Sequence, residues 1–197
     1  MQNTESTNPA GCHAELPMLV SALRFAANKH RRQRRKDVQA SPYINHPIAV
    51  LSILSEEAGV ETTEVLCAAL LHDTIEDTET SPEELEAAFG RQVCEIVLAV
   101  SDDKRLSKAE RKQLQISRAA SSGPEARLVK LADKIANLRD LVDHPPHDWD
   151  MDRRLAYCEW ARAVVEQMRG THAELERLFD QAHARCIAAA AAGRHGD

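Results

Sequence analysis

The chain has 197 residues, 43% hydrophobic content and a formal net charge of −6, enough to bury one core and too acidic to favour nucleic acid or an anionic membrane. Aromatics are only 4% of the sequence, too few for a base-stacking platform of the single-strand-binding kind. No apolar run reaches the roughly 18–20 residues of a membrane span and the N-terminus lacks a signal-peptide core, so a soluble protein is expected. Five cysteines, Cys12, Cys67, Cys94, Cys158 and Cys186, are scattered and form no CxxC pair. That pattern predicts reduced thiols in a cytoplasm rather than a disulfide frame or a zinc knuckle, with Cys67 and Cys94 as core filler in apolar runs.

Residues 1–15 are polar and small and are expected to form a disordered leader. From Pro17 to Lys29, Leu19, Val20, Leu23, Ala26 and Ala27 recur at helical spacing and predict a helix with one buried face. It runs into His30-Arg31-Arg32-Gln33-Arg34-Arg35-Lys36, the densest positive run in the chain. Arg31 and Arg32 fit a solvated helix end that complements the dipole. Arg35 and Lys36 precede a turn, where they can reach an anionic ligand. The turn SPYINHP at 41–47 is bracketed by prolines, and Pro47 suits the first position of the next helix. His46 stands just before it. Ile48 to Glu57 is amphipathic, Gly59 ends it, and Glu61 to Ile75 reads as a nearly all-apolar helix, of the kind buried against several others.

That helix ends in AALLHDTIEDT at 68–78, where an apolar segment becomes one histidine and three carboxylates. His72 with Glu76 and Asp73 with Asp77 are i,i+4 pairs, which share one face of a helix. A buried carboxylate is costly unless it is paired or bound to a cation. The stretch therefore asks for a metal or for partners elsewhere, unless it runs out into an acidic, solvated loop.

Ser81-Pro82-Glu83-Glu84 reads as a capping box that starts a short helix ending near Phe89-Gly90. Val93 to Val100 is a buried segment, and Ser107 with Glu110 caps a charged, exposed helix. Gly123-Pro124 breaks the chain before ARLVKLADKIANLRDL at 126–141, whose core stripe is Leu128, Leu131, Ala132, Ile135, Leu138 and Val142. Lys130, Asp133 and Asn137 fall on the opposite side, which periodicity alone assigns to solvent. A long helix follows from Met151 to Arg169, Gly170-Thr171 interrupts it, and a last helix from Ala173 to about Ala192 closes the fold. Nothing alternates with period two for long, so the fold class is all-α. One domain is expected over 16–185, with 186–197 a frayed tail.

Four separated pieces, RRKD at 34–37, PYINHP at 42–47, LLHDTIEDT at 70–78 and KLADKIANLRDL at 130–141, occur together in order. In them the chain resembles the HD-domain small alarmone hydrolases, similar to the metazoan SpoT homologue and the hydrolase domain of RelA/SpoT enzymes. The resemblance implies a compact multi-helix HD-domain bundle. It places metal ligands on His46, His72, Asp73 and Asp133, and a water-positioning, proton-handling pair on Glu76 and Asp77. Substrate contacts fall on Arg35, Lys36 and Asn137, with Arg153 and Tyr157 as weaker matches. The implied cofactor is Mn²⁺, although two imidazoles and two carboxylates also suit Fe²⁺, Co²⁺ or Zn²⁺. His144, His147, His172 and His183 read as surface or loop residues.

The implied reaction is metal-dependent release of pyrophosphate from the ribose 3′ oxygen of (p)ppGpp, giving GDP or GTP. Arg grips phosphate with a bidentate fork and Lys as a point charge, which suits Arg35 and Lys36 to the diphosphate. Hydrolysis of (p)ppApp, NADPH phosphatase activity, another nucleotide hydrolase and a non-catalytic nucleotide sensor stay open as alternatives. Expected partners are a small nucleotide and neither nucleic acid nor membrane, with homo-oligomerisation left open.

Overall fold

The computed structural model describes residues 12–193. The helices run in the order α1 Cys12–Lys29, α2 Asn45–Ser52, α3 Thr63–Leu71, α4 Thr74–Asp77, α5 Pro82–Phe89, α6 Arg91–Val100, α7 Lys108–Ala119, α8 Pro124–Asp143, α9 Met151–Glu166 and α10 Ala173–Gly193. A π-helical turn at Ile53–Glu57 extends α2. Among the described residues no strand forms, and Arg34 and Pro42 make an isolated bridge. The all-α expectation holds.

Two helices make the centre. In α3 every residue from Val65 to Leu71 is buried, because α1, α2, α6 and α8 all pack against it. The helix α8 touches α2, α3, α6, α9 and α10. Its predicted stripe buries Leu131, Ala132, Ile135 and Leu138, with Leu128 and Val142 half-buried against the same core. The opposite face corrects the periodicity. Asp133 and Asn137 do not face open solvent but line a partly open cavity with His46 of α2 and Tyr157 and Trp160 of α9. One-dimensional spacing identifies an apolar face and says nothing of what covers the other.

Local chemistry sets the boundaries. Ser81 accepts a hydrogen bond from the Glu84 amide, and Ser107 and Glu110 form a complete reciprocal capping box. Gly59, Gly90 and Gly170 all have positive φ, the left-handed conformation that ends helices without a Cβ penalty.

Four expectations are corrected. The single helix from Glu61 to Ile75 is broken at His72-Asp73, because side chains take over the last carbonyls of α3. His72 Nδ1 pairs with the Ala69 carbonyl at 2.7 Å, and Thr74 Oγ1 donates to Leu71 O at 2.6 Å. The leader expected over 1–15 overlaps α1, which begins at Cys12; the rest of it lies outside the described residues. The tail expected from residue 186 is helical to Gly193, consistent with alanine's top helix propensity; its end lies outside the described residues. Cys158 of α9 and Cys186 of α10 form a disulfide, with Cα atoms 6.8 Å apart. They are 28 residues apart, and only the packing of α9 on α10 reveals the pairing, so cysteine spacing gives no guide to compartment. Cys67 and Cys94 are free and buried, as expected.

Candidate metal centre and adjoining pocket

The break after α3 is what aims the site. It turns His72 and Asp73 out of the helix line, toward His46 at the start of α2 and Asp133 in the middle of α8. One donor atom from each of His46, His72 and Asp133 lies within 4.8 Å of the others. Asp73 completes the set, with Oδ2 3.1 Å from His72 Nε2 and 3.9 Å from His46 Nε2. His46 Nε2 is 3.1 Å from Asp133 Oδ1, and His72 Nε2 is 3.8 Å from the same oxygen.

This donor set fits a divalent cation. Both imidazoles are buried, and the buried His72 Nε2 has no hydrogen-bond partner. Its Nδ1 is occupied by the Ala69 carbonyl, which fixes the tautomer that leaves the Nε2 lone pair facing the carboxylates. The outer groups are held as well. Tyr43 donates its hydroxyl to Asp73 Oδ2 at 2.6 Å, while Lys134 Nζ and Asn137 Nδ2 donate to the two Asp133 oxygens at 2.9 and 2.6 Å.

The electrostatics point the same way. Burial works against a charged His72, yet Asp73 and Asp133 raise its pKa to about 9. Burial likewise pushes the two aspartates up, but His72 beside Asp73, and Lys134 with His46 beside Asp133, hold both below the usual carboxylate range. Two ionised carboxylates in a buried site draw in positive charge, as protons or as a cation.

One turn on, Glu76 and Asp77 line the same cavity of about 240 Å³. Burial raises the Glu76 pKa to about 7, against the Asp102 amide that donates to its Oε2 at 3.1 Å. Asp77 pairs with Lys104 and receives Gln33 Nε2 on its carbonyl at 2.6 Å.

A second pocket, of about 300 Å³, adjoins the first and shares Tyr43, Asp77, Asn137 and Tyr157 with it. Arg35, Lys36, His144 and Trp149 also line it. Arg35 pairs with Asp140 and lies 5.7 Å above the Tyr43 ring. Arg153 does not line either space; it sits at the rim, 4.4 Å over the Trp149 ring. The structure thus brings the four candidate ligands and the Glu76-Asp77 pair into one cavity, and Arg35, Lys36, Asn137 and Tyr157 around the next.

Sequence reasoning missed Tyr43, Lys134, Gln33 and Arg111. Tyr43 and Lys134 stand inside the quoted motifs PYINHP and KLADKIANLRDL, which was the available signal. His30 also escaped it; buried within the positive run, it pairs with Gln33 and packs against the Tyr43 ring.

The HD domain profile matches residues 22–158. The chain belongs to the HD-domain family. The chain is 53% identical over 166 residues to the guanosine-3′,5′-bis(diphosphate) 3′-pyrophosphohydrolase MESH1 of Homo sapiens, covering 84% of this chain and 93% of that protein. The Drosophila melanogaster protein of the same name is 52% identical over 162 residues, covering 82% and 90%. Among solved structures, a metazoan ortholog of SpoT described as hydrolyzing ppGpp matches the chain with a TM-score of 0.83 and 48% identity, over 91% of this chain and 98% of that one.

Proposed function

We infer that this HD domain is a metal-dependent 3′-pyrophosphohydrolase of (p)ppGpp, releasing pyrophosphate and leaving GDP or GTP. What supports the reading most is the gathering of His46, His72, Asp73, Asp133 and the raised-pKa carboxylate of Glu76 around one cavity, which adjoins a pocket lined by Arg34, Arg35, Lys36, Tyr43, Trp149 and Tyr157 as well as by Asp37, Asp77 and Asp140. Relatives 50–53% identical carry the name of that activity.

His46, His72, Asp73 and Asp133 hold the ion, which we take to be Mn²⁺. When bound, such an ion polarises phosphate oxygens and lowers the pKa of water. Glu76 accepts a proton from the attacking water, for which a pKa near operating pH is suited, and Asp77 positions that water. The water oxygen forms a bond to the phosphorus on the ribose 3′ oxygen, the bond from phosphorus to that oxygen breaks, and the ribose oxygen takes a proton. Arg35 and Lys36 neutralise the diphosphate while Asn137 and Tyr157 orient it between the two spaces. Arg153 and Trp149 border the nucleoside. A cytoplasmic location follows from a nucleotide substrate, not from the cysteines.

Purified protein incubated with ppGpp, ppApp and NADPH, each with Mn²⁺ and with EDTA, tests the reading by HPLC. GDP and pyrophosphate from ppGpp, with Mn²⁺ alone, is the expected result. Metal-loaded protein that turns over none of the three would sink it.

A further inference from the structure

The helix α7, charged enough to read as solvated surface, turns one side toward the cavity. We propose that Arg111 is a positioning residue for Glu76, fixing the direction in which the carboxylate meets the attacking water; this rests on the reading of Glu76 as the base.

Each Glu76 oxygen has a donor. Arg111 Nη1 stands 3.3 Å from Oε1 and the Asp102 amide donates to Oε2 at 3.1 Å. Neither partner is loosely placed. Arg111 is only 25% exposed in its side chain and Glu76 only 19%. Gln115, one turn after Arg111, donates Nε2 to Asp102 Oδ2 at 2.7 Å, so α7 holds the loop that supplies the second donor. The start of α7 is set by the Ser107–Glu110 box, and Trp160 Nε1 of α9 donates to the Lys112 carbonyl at 3.1 Å.

The physical consequence is orientation. A glutamate has three rotatable side-chain bonds, and a proton acceptor works only where its lone pair meets the water within hydrogen-bond reach. Two donors from a fixed frame leave one arrangement. Remove Arg111 and Oε1 loses its charged partner beside Asp73, Asp77 and Asp102, all of which repel the ionised Glu76. The carboxylate then rotates or holds its proton.

The test compares wild type, Arg111→Met, Arg111→Lys, Glu76→Gln and the Glu76→Gln/Arg111→Met double variant, all loaded with Mn²⁺ and assayed on ppGpp. Losing a hydrogen bond to a charged group costs about 10–100-fold, so Arg111→Met should lower kcat by that factor, with KM nearly unchanged and Mn²⁺ binding intact. Arg111→Lys, which keeps the charge and the packing stem, should fall between the two. In the Glu76→Gln background Arg111→Met should add no further loss, as expected for residues acting as a unit. A raised KM with wild-type kcat would make Arg111 a phosphate ligand and overturn the proposal, as would independent losses in the double variant. A readout without turnover keeps this separate from the hydrolase reading. The carboxyl ¹³C signal of Glu76 should titrate at higher pH in Arg111→Met than in wild type; an unmoved titration would overturn the proposal even if ppGpp proved the wrong substrate.

Discussion

The inner cavity and the outer pocket share four residues but are built on different terms. Inside, the walls are helices and helix ends, the imidazoles are buried, and Asp73 and Asp133 both have protein donors on their carboxylates. Outside, Arg34–Asp37 and the segment from His144 to Trp149 are largely loop, Lys36 is exposed, and the cations rest on aromatic faces. A group held in a buried frame acts with its neighbours, so removing one disturbs all. A group on a wet rim contributes alone and modestly.

Asp133→Ala should break this comparison most sharply. It removes a ligand and strands the Lys134 ammonium, which is 7% exposed and pairs with Asp133. Breaking a buried pair costs about 3–5 kcal/mol, so a melting curve should drop well below wild type while calorimetry finds no Mn²⁺ binding. An unchanged melting point would show that the inner site is not a buried charge network.

Glu76→Gln should lower kcat by about 10²–10⁴-fold and leave metal affinity near wild type. The sign of its effect on folding is opposite to that of Asp133→Ala. Burial raises the Glu76 pKa from 4.5 to about 7, so the folded state binds its proton more tightly than the unfolded state. Ionised Glu76 therefore costs stability that grows as pH rises between those values and stays above them. Melting at pH 8 should rise by a few degrees in Glu76→Gln and should not differ at pH 4. In wild type, kcat should climb as pH rises through about 7, when the base loses its proton. Equal activity at pH 5 and pH 8 would remove Glu76 from the role of base.

The rim should show the smallest effect. Arg153→Ala removes one partly exposed cation–π contact, and Trp149→Ala removes that contact and a longer one to Lys108, each worth about 0.5–1 kcal/mol. KM should rise about two- to fivefold with kcat unchanged. A large kcat loss at either residue would place the rim inside the catalytic frame.

The sequence made the helices legible where period and punctuation agreed, as in the α8 stripe and the glycine stops. It made His72, Asp73, Glu76 and Asp77 conspicuous because charge breaks into an apolar run. His46 and Asp133 were weak by themselves, since a lone histidine or a polar helix face has common structural explanations; the co-occurrence of four motifs raised them. Arg111 was not legible, because an arginine on a charged amphipathic helix has the same spacing whether it faces water or a buried carboxylate. The break at His72-Asp73 escaped for another reason. Side-chain bonds to the Ala69 and Leu71 carbonyls compete with the helix ladder without any glycine or proline to announce them.

The most direct test is a titration of metal-free protein with Mn²⁺ while pyrophosphate release from ppGpp is followed, with His72→Ala in parallel. Turnover should be absent at the start, rise to a plateau at one ion per chain, and stay absent in His72→Ala. Full turnover by the metal-free protein, or an undiminished rate in His72→Ala, would contradict a reaction centred on the His46, His72, Asp73 and Asp133 site.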